Sequence, residues 1–295
     1  MDRVEVEIAR LIKEIDYDEV TRLFSMLSGG KRLRAKLILK IASTHKKAPL
    51  LAAIVELIHA ASLLHDDVID EATLRRGVAS VNATDGSKTA VMLGDILYSK
   101  AFTELVEFDK EIASVVASSV TALSKGEMMD VKMAEEFNSD EKTYLDMLYL
   151  KTATLIEAAA TSAAILASKD PSSHAIYGRN LGLSFQIIDD ILDITSDEST
   201  LGKPALNDFV EGKCTLPYIY LYEELGLDDK ERLKNLHAKE LDKDDGLWIK
   251  QKMKEHKSVE KSFVLAKKLS DEAMQAIKDD KELVGILETM IKRSY

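Results

Sequence analysis

The chain runs from Pro49 to Pro171 without another proline, and only Pro204 and Pro217 follow. A stretch of that length keeps every backbone N–H available for helical hydrogen bonds. It is filled with Ala, Leu, Ile, Glu, Lys and Met, residues that mostly favour helix. Apolar residues recur at helical spacing, at Val4, Ile8, Leu11, Ile12 and Ile15 and again at Leu37, Ile38 and Ile41. Alternating, strand-like runs are scarce. The pattern predicts an all-α protein. Pro49 opens a helix to about Asp70, and Pro171 follows Asp170, a good N-cap, ahead of a helix to about Ile194. Further helices are expected over about 33–46, 88–107, 109–133, 140–168 and 214–224, with four shorter pieces after 228. Loops are expected at about 71–87, 134–139 and 195–213. None is long or repetitive enough for an interdomain linker, so residues 1–295 read as a single domain.

Charged residues make up 31% of the chain and hydrophobic ones 46%, as in a globular protein with a substantial core. The net charge of −11 argues against nucleic acid as a partner, since phosphate backbones need a basic footprint. The single cysteine, Cys214, cannot form an intrachain disulfide. Charges every few residues in MDRVEVEIARLIKEI leave no signal-peptide core, and no run of about 18 uncharged apolar residues predicts a spanning helix. The expected location is the cytoplasm.

Two aspartate clusters carry the sharpest chemistry. Asp66-Asp67-Val68-Ile69-Asp70 ends one long predicted helix and Asp189-Asp190-Ile191-Leu192-Asp193 ends another. Residues four apart stand one turn above each other, so Asp66 and Asp70 share a face, as do Asp189 and Asp193. Like charges repel at that spacing, and the negative end of the helix dipole adds to the cost. A cation removes the penalty. Oxygen-only ligands suit Mg²⁺, which keeps several waters and bridges carboxylates to substrate phosphates. A solvated acidic helix end is the plain alternative for one such cluster. Two of them, each preceded by apolar or small residues (Ala60, Ala61, Leu63, Leu64; Phe185, Ile187, Ile188), fit it poorly.

An acidic chain that binds anions must gather its bases locally. Gly29-Gly30-Lys31-Arg32-Leu33-Arg34 sets three bases at a predicted helix start, where backbone N–H groups also favour phosphate. Arg75-Arg76-Gly77 follows the first aspartate cluster, and Lys203 and Lys213 lie in a glycine-punctuated segment after the second. Each base alone is ambiguous, because exposed Lys and Arg are the rule. Together they suit a diphosphate.

DDVID and DDILD, with GGKRLR, LRRG, Lys151-Thr152, Phe185-Gln186 and the GKP…EGKCTLP segment, resemble the trans-isoprenyl diphosphate synthases of the polyprenyl synthetase group. The similarity in order and spacing covers about residues 25–220. Ala35, Ala79 and Asp130 depart from the family's usual residues, at positions expected to shape backbone or core. The resemblance implies a homodimer of all-α subunits, each a bundle of ten or more helices around a large central cavity. It implies Mg²⁺, more than one ion per site, held by Asp66, Asp70 and Asp189 with Asp67, Asp190 and Asp193 in support. Those ions, with Arg75, Lys151, Thr152, Gln186, Lys203 and Lys213, would hold an allylic diphosphate. Isopentenyl diphosphate would be held by Lys31, Arg34, His59 and Arg76. No role is assigned to His65 beyond structure.

The implied reaction adds isopentenyl diphosphate head-to-tail to an allylic diphosphate such as farnesyl diphosphate. The acid residues and bases expected to carry it are Asp66, Asp67, Asp70, Lys151, Asp189, Asp190 and Lys203. In the resembling family, the positions of Ala61 and Ser62 gate product growth, and both are small here. The helix from Asp66 back to Pro49 is about 25 Å long and one isoprene unit spans about 4–5 Å, which favours a product of about six to eight units. Geranylgeranyl diphosphate is the alternative if Ile58 or Phe102 closes the cavity. A product of either length suits delivery to a membrane. A terpene cyclase is disfavoured by an aromatic content of 6% and by bases suited to a second diphosphate site. A non-catalytic partner subunit is disfavoured because all six aspartates are present.

Overall fold

The computed structural model describes residues 1–27, 30, 32–75, 77–195 and 206–291, with side chains to 288. It is helical almost throughout, as expected. The chain divides into two compact units, one of residues 1–121 with 155–178, the other of 122–154 with 179–295.

The first unit begins with α1 (Asp2–Lys13), α2 (Asp18–Met26), α3 (Leu33–Ile41) and α4 (Ala48–Ile69). A two-residue hairpin, β1 (Leu74–Arg75) with β2 (Val78–Ala79), then leads to α5 (Val81–Asp85) and α6 (Ser87–Leu105). Helix α4 is the core, packed by α1, α3 and α6. Its Leu51, Ile54, Leu57 and Ile58 are fully buried, each contributing roughly 1.5–3 kcal/mol. Among the described residues α4 alone is long and apolar enough to cross a membrane by length and composition, yet 67% of that stretch is buried inside the protein. It is a core helix. Helix α3 stops at Ile41, short of the expected 46, where Ser43, Thr44 and His45 offer the backbone competing partners. The start of α7 (Lys110–Ala134) and most of α9 (Thr154–Leu166) also belong to this unit.

The second unit contains the rest of α7, α8 (Glu141–Leu148), a π turn (Tyr149–Ala153), and α10 (Pro171–Thr195) from Arg179 onward. After it come α11 (Asn207–Val210), α12 (Leu216–Glu224), α13 (Leu227–Leu236), α14 (Lys243–His256), α15 (Ser258–Ala276) and α16 (Lys281–Ile291). Buried Ser258, Ser262, Ala266 and Ser270 recur every fourth residue along α15, whose neighbours include α12. The π turn interrupts the single helix expected over 140–168. Two glycines accompany it. A Cβ at Gly126 of α7 would lie 2.3 Å from the Lys151 nitrogen, and one at Gly182 of α10 2.5 Å from Ala153 Cα. Both helices therefore rest on the turn's backbone, and such turns are frequent at functional sites.

Candidate active site

In the first unit, Asp66 and Asp67 close α4, and the peptide N–H of Asp70 caps it by donating to the Asp66 and Val68 carbonyls. The hairpin folds Arg75 back over this end. Its Nε donates to Asp67 Oδ1 at 2.6 Å and its Nη2 to Asp66 Oδ2 at 3.0 Å. Asn82 donates to the Asp67 and Ala72 carbonyls, fixing the turn beneath. Asp67 is 2% exposed, and burial raises its pKa against the opposing pull of Arg75. Asp66 is half-buried and Asp70 exposed.

Further up the unit, Arg32 of the GGKRLR segment is held by two acids. It pairs with Glu5 at 3.0 Å and Glu56 at 3.2 Å, while Glu56 also accepts the Ala35 N–H at 3.0 Å. Glu56, 4% exposed in the middle of α4, was legible only as a lone acid in an apolar helix. Beside it, Arg34 keeps its Nε buried without a partner, and burial pushes its guanidinium down to about 10, against the pull of Glu56. An unpartnered buried guanidinium nitrogen suits an anion. His59 is half-buried two turns before Asp66, and its carbonyl accepts the Ser62 hydroxyl at 2.9 Å. Ala61 is fully buried and Ser62 half-buried. His65 turns to the Val91 carbonyl at 3.1 Å, in keeping with a structural role. Lys31 and Arg76 lie outside the described residues.

In the second unit, Asp189 is exposed while Asp190 and Asp193 are 4% and 2% exposed. Asp190 accepts the Tyr144 hydroxyl and, at 3.0 Å, Gln186 Nε2, which sits beside Thr152. Burial and the nearby Asp208 charge push the Asp190 carboxyl up to about 8. Asp193 Oδ2 accepts the Asp208 N–H and its carbonyl the Leu206 N–H, so it staples the chain where it returns to α11. Lys151 Nζ pairs with Asp130 at 2.6 Å and Glu127 at 3.0 Å. Asp130 therefore does more than the core shaping expected of it. Lys151, Thr152, Gln186, Asp190 and Lys213 line one cavity of about 140 Å³, many times the roughly 10–15 Å³ one water needs. His237 Nε2 donates to the Gly212 carbonyl, 2.7 Å away, and so braces Lys213 from a segment to which the sequence assigned no chemistry. Lys203 lies outside the described residues.

The six aspartates thus divide into accessible ones (Asp66, Asp70, Asp189) and buried, braced ones (Asp67, Asp190, Asp193). Among the described residues no three acid, His or Cys side chains converge to hold a metal unaided. The accessible carboxylates fit Mg²⁺ nonetheless, since that ion takes one or two protein carboxylates and completes its shell with water and phosphate.

The family model described as Polyprenyl synthetase matches residues 18–254. The chain is 39% identical over 218 residues to a short chain isoprenyl diphosphate synthase of Methanothermobacter thermautotrophicus, a match covering 70% of this chain and 67% of that enzyme. Two further curated relatives are matched over 65% and 62% of their own lengths. The crystal structure of octaprenyl pyrophosphate synthase from Helicobacter pylori superposes with a TM-score of 0.92 at 44% identity, covering 99% of this chain and 96% of that one. A polyprenyl synthase from Caulobacter crescentus, complexed with calcium and isoprenyl diphosphate, superposes with a TM-score of 0.85 at 29% identity, over 100% and 98% of the two chains.

Proposed function

The chain belongs to the polyprenyl synthetase family, and on that premise we propose that it is a trans-polyprenyl diphosphate synthase. It condenses isopentenyl diphosphate head-to-tail onto an allylic diphosphate and releases diphosphate. The observation that carries the reading is the partition of the aspartates into accessible carboxylates and buried ones held in place. That is what a site needs when its carboxylates must stay aimed at a cation despite mutual repulsion.

Asp66, Asp70 and Asp189 would hold Mg²⁺, braced through Asp67, Asp190 and Asp193. Mg²⁺ held there would supply positive charge against that developing on the leaving diphosphate. Arg75, Lys151, Lys203 and Lys213 bind the allylic diphosphate and share that task, with Thr152 and Gln186 orienting it. Lys31, Arg34, His59 and Arg76 bind isopentenyl diphosphate. Apolar helix walls keep water from the allylic cation, which would otherwise be trapped as an alcohol. The double bond attacks that cation, and the proton then lost passes to the departing diphosphate.

A long-chain product, about six to eight units, is favoured by the small side chains of Ala61 and Ser62 and by the length of α4. One observation favours the shorter, geranylgeranyl product: Ile58, a candidate to close the cavity, is fully buried on α4, whereas Phe102 on α6 is exposed. The two units act as one catalytic domain, as a single family model spanning parts of both supports. The active species is a homodimer, on the strength of the resemblance.

The deciding experiment incubates purified protein with Mg²⁺, labelled isopentenyl diphosphate and geranyl, farnesyl or geranylgeranyl diphosphate in turn. Elongated, diphosphate-linked products that vanish with excess chelator are expected. No elongation of any starter would refute the function.

A further inference from the structure

Outside the aspartate-rich helix ends, one charged cluster stands out. Glu127 and Asp130 are three apart on α7 and so share a face. Both reach the Lys151 ammonium, at 3.0 and 2.6 Å. The carboxylate-bearing side chains are only 14% and 11% exposed, so salt screens these pairs little. The glycine at 126 is what allows it, because α7 touches the backbone of Lys151 itself. One positive and two negative charges therefore meet at a cavity that also presents Thr152, Gln186 and Lys213.

This is an unexpected place for a second acid. A diphosphate arriving in that cavity brings more negative charge beside the two carboxylates already paired with Lys151. It competes with both carboxylates for an ammonium that has three N–H donors to share. Of the two acids, Asp130 makes the shorter contact and is the less exposed. It also lines the cavity, whereas Glu127 does not.

We propose that Asp130 is an internal competitor for Lys151 and sets the affinity of the allylic diphosphate site. It is a positioning residue: it holds the lysine ready in the empty cavity and gives it up on binding. The inference rests on the function proposed above only in taking the ligand to be a diphosphate.

Asp130→Asn removes the charge at nearly constant shape, and Asp130→Gln is a second charge-removing variant should the first not fold. Asp130→Glu keeps the charge. Two readouts are needed: Michaelis constants for both substrates, and calorimetric titration with Mg²⁺ and inorganic pyrophosphate, which requires no turnover. In the Asn or Gln variant the allylic KM and the pyrophosphate Kd should fall about three- to tenfold, with the isopentenyl diphosphate KM within about twofold of wild type. The gain should persist in about 0.5 M KCl, since salt screens these pairs little, and Asp130→Glu should restore the wild-type values. A merely structural residue would not tighten a ligand on losing its charge. Unchanged or weaker pyrophosphate binding in a folded Asn or Gln variant overturns the proposal, as does tightening of both substrates alike. Should the wild type elongate nothing while the variants still tighten pyrophosphate, the proposed function fails and this inference stands.

Discussion

Replacing Gly126 by alanine tests whether the π turn is held by direct backbone contact. The added Cβ would lie 2.3 Å from the Lys151 nitrogen, 2.6 Å from the Leu150 carbonyl carbon and 2.8 Å from Leu150 Cβ. Two of those atoms are backbone, so no rotamer change relieves the overlap. Restoring an ordinary contact of 3.4 Å requires α7 and the turn to part by about 1 Å. Overpacking of this kind costs about 1–3 kcal/mol, against about 0.5–1 kcal/mol gained from alanine's better helix propensity. The net loss is about 0–2.5 kcal/mol, up to several degrees of Tm in a protein this size. Activity should suffer more, because displacing Lys151 by about 1 Å can cost about a hundredfold in turnover. Gly285→Ala in α16 is the control: nothing lies within 4 Å of its added Cβ, so its Tm should stay level or rise. Thermal melts and initial condensation rates decide the matter. A Gly126→Ala enzyme with wild-type Tm and turnover would refute the contact argument.

Arg34→Ala should raise the KM for isopentenyl diphosphate about tenfold or more and leave the allylic KM within about twofold, as steady-state kinetics with each substrate varied will show. Burial holds the His237 pKa below its ordinary value, so its stabilising contribution is complete above about pH 6.5 and is lost as pH falls through its depressed folded value. His237→Gln should therefore flatten the acid limb of Tm against pH, and an unaltered limb would exclude His237 as its source. Ala61→Phe should shorten products to about three or four units while total condensation persists, since Ala61 is fully buried on α4; chromatography of dephosphorylated products reads this directly. Asp193→Ala should cost about 1–3 kcal/mol of stability by freeing the Asp208 amide, whereas Asp70→Ala should leave Tm within about two degrees; calorimetric melts separate the two.

The helices were legible because apolar spacing and proline placement are local signals. Pro49 and Pro171 mark the starts of α4 and α10 within one residue, and Val4, Ile8, Leu11 and Ile12 are buried as their spacing predicts. The π turn was not legible. It depends on two glycines distant in sequence, each meaningful only once another helix lies against it. Glu56, Tyr144 and His237 escaped for the same reason: each acts on a backbone or carboxylate that the fold brings to it. Asp130 escaped for another. Its departure from the family's usual residue was visible, but its consequence lies in the partner, Lys151, on the π turn.

The two aspartate clusters show how far identical spacing underdetermines geometry. In each, the third aspartate lies four residues from the first and three from the second, so a helix lets it side with either. What decides is where the helix stops. Helix α4 ends at Ile69, so Asp70 falls past the last turn, exposed, while Asp67 is buried and shares Arg75 with the half-buried Asp66. Helix α10 runs on to Thr195, so Asp193 stays in register with Asp190 on the buried side and leaves Asp189 outside. One cluster therefore offers two accessible carboxylates and the other one. The asymmetry also follows the neighbouring chain: the first cluster meets a hairpin that supplies a base, the second a returning backbone that supplies amides. A carboxylate turned toward amides is fixed in place, and one turned toward solvent stays available to a cation. Identical aspartate patterns thus present unequal numbers of accessible carboxylates.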